Sequence, residues 1–177
     1  GESYLRKDLP YQEIDGALKD LSESIGLQVA FYIRSGDKAT CVLLRNPARQ
    51  AHRRQSGIGA SVPLHASAAG KIFLAYLPEA ERERLIQKSG LTAYTKKTIT
   101  DLELLNNELR EIHLFGYAVE DREHDEGVAI SVPVFGFGDK ILGAVAAAGA
   151  GWRGLEGGTA GTGYFFANTW RGNNKRP

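Results

Sequence analysis

Residues 62–77 (VPLHASAAGKIFLAYL) combine residue types and spacing suited to binding chemistry. Pro63 stiffens the approach, and Ser67 is a preferred helix N-cap. A helix that begins after Ser67 leaves the amides of Ala68, Ala69 and Gly70 without intrahelical acceptors. These three residues are small, so a ligand can come close to the main chain. Bare first-turn amides and the positive end of the helix dipole together make an anion seat. A charge-assisted hydrogen bond contributes about 1.5–3 kcal/mol, and the dipole adds about 0.3–1 kcal/mol. Two such bonds with modest apolar contact reach roughly −5 to −8 kcal/mol, the range of a metabolite sensor. A helix merely packed on a sheet through Ala and Gly would use the same residues, and the two readings weigh evenly on this stretch alone.

Other chemistries fit less well. His65 and Ser67 are two residues apart, and neighbours on a turn seldom reach the geometry of a nucleophile and its base; G-x-S-x-G does not occur. Residues 120–126 (EDREHDE) hold acids and His124, and read more readily as a polar loop or sheet rim than as a ligand cluster. Gly149, Gly151 and Gly154 spell G-x-G-x-x-G after a strand, yet LEGGTAGTG follows, which cannot propagate the required helix. Gly70-Lys71 resembles the end of a phosphate loop, but His65 stands at its first glycine and Ile72 at its Ser/Thr. The basic stretch 45–54 (RNPARQAHRR) has no interleaved aromatics and reads as a solvated loop. Four scattered histidines and one cysteine make no zinc pattern. No catalytic residue, metal or cofactor is therefore expected.

The elements that must position residues 62–77 follow from periodicity. Ile14, Leu18, Leu21 and Ile25 mark an amphipathic helix that starts near Asp8 and Pro10 and stops at Gly26. Residues 27–34 and 39–45 read as a hairpin around Ser35-Gly36-Asp37. A helix over 67–77 follows the glycine-bearing segment 57–64. Another helix opens at Pro78 and ends near Lys88 and Gly90. Thr100 and Glu103 form a capping box for a helix lined by Leu102, Leu105, Leu109 and Ile112, which Gly116 ends. Strands are expected over 117–119, 128–135 and 141–148. This order implies an α+β fold, an antiparallel sheet covered by helices. The Gly-rich end, 150–177, is expected to be an irregular tail anchored at most by Tyr164, Phe165, Phe166 or Trp170.

The chain has 177 residues, 42% hydrophobic and 24% charged, with a formal net charge of +1. One domain of this size buries roughly two thirds of its unfolded surface. The near-neutral charge implies no general attraction to nucleic acid or anionic membrane. No apolar run approaches the ~20 residues of a membrane span. The lone Cys41 suits a reducing cytoplasm.

Four segments, PLHASAAGKIFLAYLPE (63–79), LTAYTKKTITDLELLNNELREI (91–112), GYAVEDREHDEGV (116–128) and ISVPVFG (130–136), follow one another as in IclR-type transcriptional regulators. Over residues 8–149 the chain resembles the effector-binding domain of that family. The resemblance implies a GAF-like domain over 1–149 that binds a small organic acid and assembles as a homodimer or homotetramer. It also implies that operator DNA is contacted only through a winged helix-turn-helix domain, which this fragment is expected to lack. The matching pocket comprises Ser67, Ala68, Ala69 and Gly70, with Val62 as wall, Glu120 or Asp121 as acidic rim, Ala129 and Ser131 on one strand, and Ala146 and Ala148 on its neighbour. In relatives that bind very small keto acids the last two positions can be serines. Alanine at both widens and dries the pocket, which implies a bulkier acid such as an aromatic carboxylate. Two departures stand out. Residues 127–133 read one residue shorter than the family pattern, and the family's closing helix beside Ile14 and Leu18 is not evident. The competing expectations are a small hydrolase-like enzyme using Ser67 and His65, or a GAF-type nucleotide-binding module.

Overall fold

The computed structural model describes residues 9–48, 57–125, 127–149, 163 and 166–171. The glycine motif beyond Gly149, the basic residues 49–54, and Tyr164 and Phe165 lie outside the described residues. The described chain runs α1 (Tyr11–Ile25), β1 (Gln28–Ser35), β2 (Lys38–Arg45), β3 (Ser61–Pro63), α2 (Ala68–Tyr76), α3 (Glu79–Ser89), α4 (Leu102–Phe115), β4 (Ala118–Asp121), β5 (Val128–Phe135) and β6 (Ile141–Ala148), with a single 3₁₀ turn at Phe137–Asp139. Six strands form one sheet in the order β3-β2-β1-β6-β5-β4. Every neighbouring pair is antiparallel. The fold is the α+β arrangement expected. Among the described residues no helix is long and apolar enough to cross a membrane.

The sheet is covered on both faces, so its central strands read as continuous apolar runs. One core joins Ile14, Leu18 and Leu21 of α1 to Val29, Phe31, Ile130, Val132 and Val145. Each such side chain contributes about 1.5–3 kcal/mol on burial. The other core lies beneath α2, α3 and α4 and contains Ile72, Phe73, Leu85, Leu105, Leu109 and Ile112.

Three expectations are corrected. The α4 cap is Asp101 rather than Thr100: its carboxylate accepts from the Leu104 amide at 2.9 Å. A short edge strand, β3, pairs Ser61–Pro63 with Lys38–Thr40. Past the anticipated boundary at residue 149, residues 166–171 are helical, and Phe166, Ala167 and Trp170 join the α1 core. They cover Ile14 and Leu18, which are only 5% and 0% exposed. β5 starts at Val128 in unbroken register with β4.

Candidate functional site

Strand register assembles the floor of a hollow. One row across the sheet pairs Glu120 with Ala129, Ala129 with Ala148, and Ala148 with Gln28. The next row on the same face pairs Ser131 with Ala146, Ala146 with Ala30, and Ala30 with Leu44. Alternation puts both rows beneath the start of α2. Because four of these eight positions are alanine, sheet and helix do not close fully. A cavity of about 180 Å³ remains, walled by Val62, Ser67, Ala68 and Ala69 above and by Ala30, Ala129, Ala146 and Ala148 below. Glu120, His124 and Asp125 form one end, while Gln28, Tyr32, Leu44, Ala60 and Ser61 complete the lining.

Of the residues expected at the site, Val62, Ser67, Ala68, Ala69, Glu120, Ala129, Ala146 and Ala148 meet at this cavity. Gly70, Asp121 and Ser131 do not line it. The Gly70 amide donates to Ser67 Oγ at 3.0 Å, and the backbone of Pro63 and Leu64 presses against its Cα. Asp121 turns outward to Lys97 and Arg122, whose hydrogen bonds hold its carboxyl below the usual range. Ser131, fully buried, donates its hydroxyl to the Val145 carbonyl at 2.9 Å.

The bare-amide seat therefore needs revision. Ser67 caps α2 as expected, but the cap consumes the Gly70 amide, and the Ala68 amide lies near enough to the Glu120 carboxyl to draw its pKa down. Glu120 accepts from the His124 amide at 3.3 Å. Burial, followed by the charges of Asp125 and Glu123, pushes Glu120 up to about 7. A folded-state value above the ordinary one means that the native protein holds a proton which the unfolded chain releases between about pH 4.5 and 7. Stability is thus lost as pH rises through that window. Glu120→Gln, which keeps one acceptor and no charge, is expected to gain stability over wild type as pH goes from 5 to 8. The gain reaches at most about 3 kcal/mol, read from urea unfolding at each pH.

The remaining polar groups are committed to protein partners. Ser67 Oγ donates to the Pro63 carbonyl at 2.5 Å, whereas His65 Nε2 meets the Thr92 carbonyl at 2.8 Å. The pair does not form a nucleophile and base. Burial lowers the His65 pKa. The Tyr94 ring lies 5.8 Å from the His65 ring and 4.9 Å, edge-on, from that of His124. Thr98 Oγ1 accepts from the amides of Tyr94 and Thr95 and donates to the Glu123 carbonyl. This clamp steadies the loop that presents His124 and Asp125.

Sequence reasoning missed Gln28, Ala30, Tyr32, Leu44, Ala60 and Ser61, which reach the cavity only through register with distant strands. It treated His124 and Asp125 as a polar rim. Among the described residues, no group of three or more His, Cys, Asp or Glu is arranged to hold a metal ion.

Comparison with known proteins gives the family. The family model for the bacterial transcriptional regulator IclR C-terminal region matches residues 5–160. The HTH-type transcriptional regulator XynR of Escherichia coli is 30% identical over 135 residues, 76% of this chain and 53% of that protein. The HTH-type transcriptional repressor AllR of Klebsiella pneumoniae is 36% identical over 103 residues, 58% and 38% of the two chains. This chain thus spans about half the length of these relatives, or less. The Thermotoga maritima IclR structure superimposes with a TM-score of 0.83 at 22% identity, covering 94% of this chain and 66% of that one. A double mutant of the PobR inducer-binding domain from Acinetobacter, in complex with 3-hydroxybenzoic acid, gives 0.80 at 23% identity, covering 94% and 98%. At these identities the two structures speak for the fold. With the match to the family model spanning most of the sequence, the chain belongs to the IclR family of bacterial transcriptional regulators, as their C-terminal, effector-binding domain.

Proposed function

We propose that the cavity between α2 and the alanine rows binds a small aromatic carboxylate, and that its occupancy biases operator binding by a helix-turn-helix domain in a homodimeric or homotetrameric regulator. The observation that carries this reading is the floor of Ala30, Ala129, Ala146 and Ala148 beneath about 180 Å³ of space. An apolar cavity of about 150 Å³ holds one benzene ring. A keto acid of two or three carbons would leave most of this volume unfilled and its apolar lining uncontacted. The PobR neighbour supports the ligand class through its own bound 3-hydroxybenzoic acid. A ligand transmits a signal only by binding one arrangement of the regulator better than the other.

The test is thermal denaturation with benzoate, 3-hydroxybenzoate, pyruvate and glyoxylate. An aromatic acid at 100 times its Kd is expected to add about 2.7 kcal/mol. Ala148→Leu fills the floor at a half-buried position, and is expected to weaken aromatic binding at least tenfold without unfolding the domain. Stabilisation by glyoxylate or pyruvate, with none by the aromatic acids, would reject the proposed ligand class.

A further inference from the structure

We propose that Glu120 is a specificity-determining residue that admits a carboxylate effector only together with one proton from solvent, which the two carboxyl groups then share. The inference rests on the function proposed above and concerns the ionic form in which the site takes its ligand.

The geometry is unusual for an anion site. The Glu120 carboxylate occupies the cavity wall at 8% exposure, takes the His124 amide at 3.3 Å, and lies near the Ala68 amide, one of the donors an incoming anion would seek. Asp125 lines the same end. Among the described residues, no lysine or arginine lines the cavity. The buried ammonium of Lys71, on α2, is held by Glu123 at 3.0 Å, Glu108 at 3.3 Å and the Val119 carbonyl at 2.6 Å. On the described part of the loop after β4 the charged and titratable groups are Arg122, which turns outward to Asp121, and Glu123, His124 and Asp125. α2 brings Lys71, and α4 brings Glu108 behind it. The strands beside Glu120 present Ala129, Ala148 and Gln28, none of them charged.

An ionised effector placed here meets an ionised Glu120, and the described cation that acts on Glu120, Lys71, is already held by Glu123, Glu108 and the Val119 carbonyl. Two carboxylates in contact in a poorly hydrated site do not both stay ionised. One proton from the buffer removes the repulsion and converts it into a hydrogen bond between carboxyl and carboxylate. No other bond forms or breaks. Glu120 is already raised to about 7, so near neutrality the proton is readily taken up. Above that pH the free site loses the proton, and binding must restore it.

The experiment is titration calorimetry of the 177-residue chain with benzoate and 3-hydroxybenzoate from pH 6 to 8.5, in pairs of buffers with different ionisation enthalpies. For wild type the expected result is uptake approaching one proton per ligand at pH 8.5. Kd should be nearly constant below pH 6.5 and weaken close to tenfold per unit above pH 7.5. Glu120→Gln is expected to bind with no uptake and a flat pH profile. Binding by wild type without proton uptake and with a pH-independent Kd would overturn the proposal while leaving the aromatic-acid reading intact. Failure of every carboxylate to bind wild type at any pH would remove both. The wild-type proton count decides the matter even where the variant folds poorly.

Discussion

Gly70→Ala is expected to cost more than about 3 kcal/mol, above the usual range for overpacking, or to prevent folding. A Cβ at this position would lie 2.4 Å from Leu64 Cα and 2.5 Å from the carbonyl oxygens of both Leu64 and Pro63. These are main-chain atoms, so no side-chain rotation relieves the contact. The Pro63 carbonyl is fixed in addition by the Ser67 hydroxyl, and Pro63 itself is held opposite Lys38 by β3 pairing with β2. Gly16→Ala is the matched control. It sits on the exposed side of α1, and its Cβ would meet nothing within 4 Å. There the substitution removes a helix-interior glycine and is expected to stabilise by up to about 1 kcal/mol. Chemical unfolding followed by circular dichroism separates the two. A Gly70→Ala midpoint within experimental error of wild type would show that the segment before α2 can shift, and would undo the packing argument.

This glycine illustrates how the sequence informs and misinforms. Small residues after Ser67 were compatible with close approach either by a ligand or by protein backbone. The structure divides them: Ala68 and Ala69 face the cavity, and Gly70 takes the backbone contact. Local periodicity was sufficient for α1, whose apolar stripe Ile14, Leu18 and Leu21 is buried, and for the β1–β2 hairpin. It was sufficient for the cap at Ser67 because the signal lies within four residues. It misplaced the α4 cap, where Thr100 and Asp101 are both capping types and only the actual first turn decides.

The cavity floor was half legible. Alternation along β5 and β6 puts Ala129 and Ser131, and Ala146 and Ala148, on common faces, but register decides which of them α2 covers. Ser131 and Ala146 are both buried, but Ala146 lines the cavity and Ser131 does not. Gln28, Ala30 and Leu44 arrive from strands about 100 residues away in sequence, and no local pattern marks them. His124 and Asp125 return to the cavity because Arg122 adopts a left-handed conformation, φ 56°, and its amide donates to the Gly127 carbonyl at 2.9 Å. Arginine is not a residue that announces such a bend. At the far end, glycine content argued against a helix, yet residues 166–171 form one because Phe166 and Trp170 find the α1 core. Tertiary burial outweighs intrinsic propensity there.

Lys71→Met is expected to destabilise the domain by about 3–5 kcal/mol, the cost of stranding a buried charge. Lys71 is fully buried, and its ammonium contacts both oxygens of Glu123, at 3.0 and 3.1 Å, together with Glu108 and the Val119 carbonyl. The apolar replacement leaves the Glu123 carboxylate, 7% exposed, without its cation, although the Asp121 amide still donates to it at 3.1 Å. Burial already raises the Glu108 carboxyl while Lys71 draws it down, and one Glu108 oxygen has no partner among the described residues. Taking away the ammonium removes the lowering influence. The loss should therefore be larger near pH 8 than at pH 5, where protonation begins to discharge Glu108. Lys71→Met combined with Glu123→Gln is expected to recover more than half of the single-variant loss, because the remaining partner is then neutral. Lys71→Arg is not expected to rescue, since a planar guanidinium does not fit a site shaped around a compact ammonium. A double-mutant cycle at pH 8 and pH 5 measures the coupling directly. The ammonium joins α2, which roofs the cavity, to the loop bearing His124 and Asp125 and to α4 behind it. A Lys71→Met loss below 1 kcal/mol at pH 8 would mean that these three elements hold together without it, and that side-chain packing around Ile72 and Leu109 carries the joint instead.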